Sequence, residues 1–328
     1  MIRRHANTCC SGKPKLSKGL KGLSPMKCGV RLGPDECSIA VISDDSDFIF
    51  NFSFASADNY SALLFQLESA LKQCKKKHDI KLPIGISLQG HETASTGMIA
   101  SLHHPLLAQK MLRQDLQAAL NHPILLGSDG QCMAVAARTL LQLENKQTIF
   151  ALSLDQTVYG GIIVADKLLL GPHGLAGDWG HLSLPWPVDY EMDGRVCVCG
   201  RTGCLEHFVS LEGLSHDYEL LTGSKLTAGD IIEQADSGDI IAESAMQVLE
   251  DRIARGLAMV IGLLDPDIIF IGGELGESQR LITNVPRKWP GYIRASVDSD
   301  ILVTLQNSYP CPHYLYLHGA AHLCDFSK

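Results

Sequence analysis

Short apolar runs open the chain, and helical periodicity takes over after them. Cys28–Leu32, Cys37–Ser43 and Phe48–Phe54 are β-like runs separated by Gly33-Pro34-Asp35 and Asp44-Asp45-Ser46. Runs of this length between turn-forming residues read as strands. Leu63, Leu64, Leu67 and Leu71 then recur at helical spacing and predict a helix over Tyr60–Lys75. Pro83–Leu88 reads as a buried strand, Met111–Leu120 as a helix and Pro123–Leu126 as a further strand. Gln131–Leu143 reads as a helix in which Ala134, Ala136 and Ala137 are small enough for close packing. The second half repeats the theme. Thr148–Leu154 and Gly161–Val164 resemble a hairpin, and Ile240–Leu264 is a long helix with an apolar, Ala-rich face. Asp267–Ile271 is an apolar strand ending in Gly272-Gly273, Ile301–Leu305 is another, and a helix near Leu317–Cys324 closes the chain. Strands with helices between them indicate an α/β protein whose sheets are covered by helices.

Length changes this picture first. At 328 residues the chain is too long for one small core, so two domains are expected. A net charge of -8 argues against a nucleic-acid partner, because phosphate contacts need clustered Lys and Arg. No run approaches the apolar length of a membrane span, so no membrane partner is expected. The 11 cysteines are odd in number and lack the spacing of a secreted disulfide framework, which points to a reducing cytoplasm. Residues 1–27 carry Arg3, Arg4, Lys13, Lys15, Lys18, Lys21 and Lys27 without an acid. They lack the apolar centre of a signal peptide. They read as a solvated basic tail, with Met1–Pro25 a dispensable leader too short for a helix-turn-helix.

The densest chemistry lies in Asp178–Ser210. His181 precedes Cys197, Cys199 and Cys204, and three thiolates with one imidazole complete a tetrahedral zinc set. Gly194, Gly200 and Gly203 give a short loop the freedom to wrap an ion. Four protein ligands leave no open position, so the expected zinc is structural. The alternative is a set of unliganded thiols in a reducing cell.

This stretch also carries a resemblance. Gly177-Asp178-Trp179-Gly180-His181, followed by Cys197-x-Cys-Gly-x-x-Gly-Cys-Leu-Glu206, resembles the signature of the ROK family of bacterial sugar kinases, N-acetylhexosamine kinases and sugar-responsive repressors. The likeness extends from Cys28 to Leu323. It implies a two-domain actin-like ATPase (ribonuclease H-like) fold. The first lobe would be 28–125, completed by a helix within 312–328, and the second 126–311, carrying the zinc loop 178–210. It also implies a small-molecule sugar partner, Mg-ATP as cosubstrate and a homodimer.

By the same resemblance, Asp129 would be the base that takes the proton of a hexose or N-acetylhexosamine hydroxyl as it attacks the γ-phosphate. Taken alone, Asp129 also reads as a helix N-cap. Ser128 stands where the family has Asn, and Asp178 replaces a Glu. Gly90, Ser128, Asp129, Asp178, His181 and Glu206 would bind sugar, while His103 stands where many members have Asn. Gly33, Gly160, Gly161, Gly272 and Gly273 would bind nucleotide. The phosphate loops depart from the pattern. D-x-G-G-T-[KN] becomes Arg31-Leu32-Gly33-Pro34-Asp35-Glu36, and G-T-G-x-G-G-G becomes Asp155-Gln156-Thr157-Val158-Tyr159-Gly160-Gly161. A carboxylate about 4 Å from a phosphate charge costs roughly 4 kcal/mol at an effective dielectric near 20. That is about a thousandfold in affinity. Two readings follow: a sugar kinase weakened at its phosphate loops, or a non-catalytic sugar-binding or regulatory protein.

Overall fold

The computed structural model describes residues 25–43, 47–143, 146–192, 194–294, 296–305 and 313–326. The leader expected over Met1–Pro25 lies outside them, save Pro25 itself.

The first half runs β1 (Lys27–Leu32), β2 (Glu36–Ile42), β3 (Phe48–Ala55), α1 (Tyr60–His78), β4 (Ile84–Leu88), β5 (His91–Glu92), β6 (Ile99–Ala100), α2 (Leu112–Leu120), β7 (Ile124–Ser128) and α3 (Asp129–Leu140). The second runs β8 (Thr148–Leu154), β9 (Val158–Val164), β10 (Lys167–Leu168), α4 (Glu206–Val209), α5 (Leu211–Thr222), α6 (Ala228–Asp236), α7 (Ile240–Leu264), β11 (Ile268–Gly272), α8 (Gln279–Lys288), β12 (Leu302–Val303) and α9 (His313–His322). One sheet has the order β3-β2-β1-β4-β7 and the other β10-β9-β8-β11-β12. In each, an antiparallel trio is extended by two parallel strands. The same pairing logic is therefore used twice.

The helices form where caps and apolar stripes agree. Asn59 accepts a hydrogen bond from Ala62 N–H at the start of α1, and Asp79 in the left-handed region ends it. Leu63, Leu67 and Leu71 on its inner face are fully buried. Each contributes roughly 1.5–3 kcal/mol of burial. Helix α9 lies against β1, β4 and α3, and this approach depends on glycine. A Cβ on Gly29 would come 2.0 Å from the Leu317 carbonyl oxygen, and one on Gly85 1.7 Å from that of Ala320. The seam carries the end of the chain back onto the first sheet and sets Tyr316 beneath the ends of the strands.

The loop 178–205 is pinned to α7. Trp179 is buried and donates from Nε1 to the Gly256 carbonyl at 3.2 Å. Glu191 accepts from Arg252 Nε at 2.8 Å and from Arg255 Nη1 at 2.8 Å, and Arg252 also donates to Asp217. Burial works against the Glu191 charge, but the two guanidiniums outweigh it and hold its carboxyl down at about 2.

Candidate functional site

Strands β1, β4, β7 and β8 all deliver their carboxyl ends to one cleft. Arg31 sits near the end of β1, Gln89 follows β4, Asp129 follows β7 and Asp155 follows β8. Carboxyl ends of parallel strands are the usual place for a ligand in open α/β sheets. The cleft measures about 540 Å³, well within the range of small-molecule sites.

Behind Arg31, which lines the cleft, Asp129 is buried outside the lining, and both its oxygens are engaged. Ser87 Oγ donates to Oδ1 at 2.6 Å, and Arg31 Nη2 donates to Oδ2 at 3.3 Å. The N-cap of α3 is Ser128, not Asp129. Ser128 Oγ accepts from Gln131 N–H at 3.1 Å, and its own N–H donates to Gln131 Oε1 at 3.0 Å. This capping box uses Ser128 locally and leaves Asp129, one residue later, to bond Ser87 and Arg31. Arg31 lies over the Tyr316 ring at 4.4 Å from its centroid, and Tyr316 donates to Asp155 Oδ2 at 3.3 Å. Burial opposes the Arg31 charge, but Asp129 and Asp155 outweigh it and raise its pKa. Burial raises the Asp155 carboxyl, and Arg31 acts against that rise. One cation thus serves two acids in a poorly hydrated place.

At the opposite end the cleft is lined by Glu206 and His103, with His181 beside them outside the lining. Glu206 Oε2 accepts from Val158 N–H at 3.0 Å, and Oε1 lies 3.2 Å from His103 Nε2. Burial opposes ionisation of Glu206, yet these partners lower its pKa. The His103 and His181 rings lie parallel, with centroids 6.2 Å apart. Gln89 Nε2 donates to Thr157 Oγ1 at 3.3 Å across the cleft mouth. Carboxylate, imidazoles, amide and hydroxyl together accept and donate in alternation, which suits a polyhydroxylated ligand. Of the six residues expected at the sugar, Glu206 lines this cleft, while Gly90, Ser128, Asp129, Asp178 and His181 do not. The Asp178 charge is felt at His91 and Tyr159 instead.

Behind His181 the thiols converge. The ligand atoms of His181, Cys197, Cys199 and Cys204 lie within 4.8 Å of one another. Cys197 Sγ is 3.5 Å from His181 Nδ1, and Cys199 Sγ is 3.6 Å from Cys204 Sγ. A tetrahedron with zinc–nitrogen and zinc–sulfur bonds of 2.0–2.3 Å has edges of roughly 3.5–3.8 Å, which these two donor pairs match. Cys199 loses some hydration, but hydrogen bonds from Arg201 outweigh this and bring its thiol to about 7.

The ROK family model matches residues 27–308. The chain belongs to the ROK family. The N-acetyl-D-glucosamine kinase of Salmonella newport is 26% identical to it over 239 residues, covering 72% of this chain and 79% of that kinase. The ROK hexokinase of Thermus thermophilus superposes with a TM-score of 0.76 at 20% identity, over 90% of this chain and 96% of that one. A ROK glucokinase from Streptomyces griseus, solved with glucose and AMPPNP, gives 0.74 at 21% identity, over 91% and 98%. The fold is therefore the two-domain actin-like ATPase fold of the ROK sugar kinases.

Against that fold, the glycines expected at nucleotide have local partners. Gly160 N–H donates to the Gly177 carbonyl at 2.9 Å, and a Cβ on Gly161 would come 2.1 Å from the Gly130 carbonyl oxygen. The close approach of α3 to β9 thus requires glycine there whatever the ligand. Gly33 N–H closes the β1–β2 turn on the Glu36 carbonyl at 3.0 Å. Gly272 ends β11, Gly273 follows it, and neither lines the cleft. Beside them, burial and then Asp155 raise the Glu274 carboxyl. Sequence reasoning did not single out Ser87, Gln89, Thr157 or Tyr316. Each is a common polar residue inside an apolar run or turn, and no local pattern marks it.

Proposed function

We propose that the protein binds a hexose or N-acetylhexosamine in the cleft and that its phosphate side has been rebuilt so that transfer from Mg-ATP is slow or absent. One observation carries the second half: Arg31 is ion-paired to Asp129 at 3.3 Å. A guanidinium cannot ligate Mg²⁺. A sugar hydroxyl seeking Asp129 as base must first displace Arg31 or Ser87. Pro34 has no N–H for a phosphate, the Gly33 N–H is already spent, and Asp155 adds a repelling charge. The residues do not fit Mg-ATP as kinase residues would, so no transfer step is derived.

The sugar half rests on Glu206, His103 and His181 and on kinship with N-acetyl-D-glucosamine kinases. His181, Cys197, Cys199 and Cys204 would hold one structural zinc, which fixes the loop that presents His181 and Glu206. The test is incubation with γ-labelled Mg-ATP and N-acetylglucosamine or glucose. No labelled sugar phosphate is expected at micromolar nucleotide, and brisk turnover would refute the reading.

A further inference from the structure

The cleft does not end at Arg31. A second cavity of about 240 Å³ lies between β2, β3 and the start of α9, and it shares Glu36 and His313 with the first. Its lining is polar and preformed. Ser38, itself buried, bonds to Ser53 Oγ at 2.9 Å and donates to Glu36 Oε1 at 3.4 Å. The Asn51 amide donates to the Tyr314 hydroxyl, which leaves its carbonyl and one N–H free for a ligand. Burial, then Arg31, holds His313 down at about 4, so the ring between the two cavities is neutral near pH 7.

Charge narrows the ligand class. Five carboxylates line the cleft against one guanidinium and three imidazoles. The acids stay in the majority even with every imidazole protonated. Such a site opposes phosphates and accepts neutral or amino-bearing polyols. Neither cavity is lined by Gly272 or Gly273. The second cavity, separated from the first by Glu36 and His313, therefore lies away from the turn that would receive a nucleotide and beside the hydroxyls and amide on β2 and β3.

We propose that the ligand is longer than one sugar unit: a neutral or amino-substituted disaccharide. Its first unit lies at His103 and Glu206, and its second extends past Arg31 and His313 to Ser38, Asn51 and Ser53. This rests on the sugar-binding reading above and assigns the second cavity as a subsite. It explains why a chain with a rebuilt phosphate side keeps a cleft larger than one hexose fills.

The test is calorimetric titration with N-acetylglucosamine, glucose, N,N′-diacetylchitobiose, cellobiose, maltose and N-acetylglucosamine 6-phosphate. At least one disaccharide should bind about tenfold or more tightly than its monosaccharide, as two or so added hydrogen bonds allow. The 6-phosphate should bind more weakly than the free sugar. The double variant Asn51→Ala, Ser53→Ala should lose the disaccharide gain and keep monosaccharide affinity, with an unchanged melting temperature as its folding control. Disaccharides no tighter than monosaccharides, or a gain that survives the double variant, would overturn the subsite while leaving the sugar-binding reading intact. No binding by either class would remove both.

Discussion

Arg31 is the residue on which the chemistry turns. Its side chain retains 11% of its exposure and Asp129 3%, so this is a desolvated pair rather than a surface one. Removing one partner of such a pair leaves an unpaired buried charge, which costs about 3–5 kcal/mol. Arg31→Ala should lose stability on that scale in urea, and Arg31→Lys should recover part of it, keeping the charge but losing the planar contact with Tyr316. An Arg31→Ala protein as stable as the parent would show that the pair is not holding the floor together. Glu206 is the residue expected to matter most for sugar. A hydrogen bond to a charged group contributes about 1.5–3 kcal/mol. Glu206→Gln should therefore weaken sugar binding roughly 10- to 100-fold by calorimetry. Little of this was legible in sequence. Asp129 and Glu206 stand out by motif, but Arg31 meets Asp129 across 98 positions, and Tyr316 comes from the far end of the chain. Such pairings are created by the fold and leave no local pattern.

Among the elements, strands and helices were read well because their periods are strong. α7 spans Ile240–Leu264 as expected, and β8 Thr148–Leu154. Where an expected element formed, differences fall at its ends, where caps and pairing decide, whereas β5, β6, β10, α5, α6 and α8 have no individually expected counterpart. α3 begins at Asp129 rather than Gln131 because Ser128 caps it, and β9 reaches back to Val158 because it pairs with β8 as far as Leu154. α9 begins at His313, earlier than Leu317, because tertiary packing supports a turn whose sequence alone is not periodic. The loop 178–205 supplies two predictions. Its Glu191 has a lowered folded-state pKa, so its stabilisation is complete above the unfolded value near 4.3 and is lost as pH falls toward about 2. Glu191→Gln should cost stability near neutral pH and flatten part of the acid limb of a stability–pH curve, the remainder being shared by Asp325 and Glu243, both also held at about 2, and by Glu206 and Asp267, which are lowered too. An unaltered limb would contradict the assignment. For the metal, elemental analysis should return one zinc per chain. Chelation should lower both melting temperature and sugar affinity, because His181 and Glu206 are presented by the loop the ion closes. Tight sugar binding by zinc-free, folded protein would separate the cleft from the metal.

Across the whole molecule, two sheets with the same pairing order face one cleft, and α9 returns from the second half to pack on the first. Contacts already bridge the cleft, Gln89 to Thr157, His103 to Glu206 and Tyr316 to Asp155, while Arg31 is held to Asp129 on the first-sheet side. In a sugar kinase, nucleotide and metal would supply charge between the halves; in the proposed reading Arg31, acting on Asp155, supplies it from within. Sugar affinity should then be independent of nucleotide, since a ligand shifts another's binding only through a coupling free energy. The most direct test is calorimetric titration of N-acetylglucosamine, repeated in saturating Mg-AMPPNP. The account predicts the same Kd in both titrations. A Kd tightened about tenfold or more by the nucleotide would contradict it, by showing that the phosphate side still binds Mg-nucleotide and communicates with the sugar.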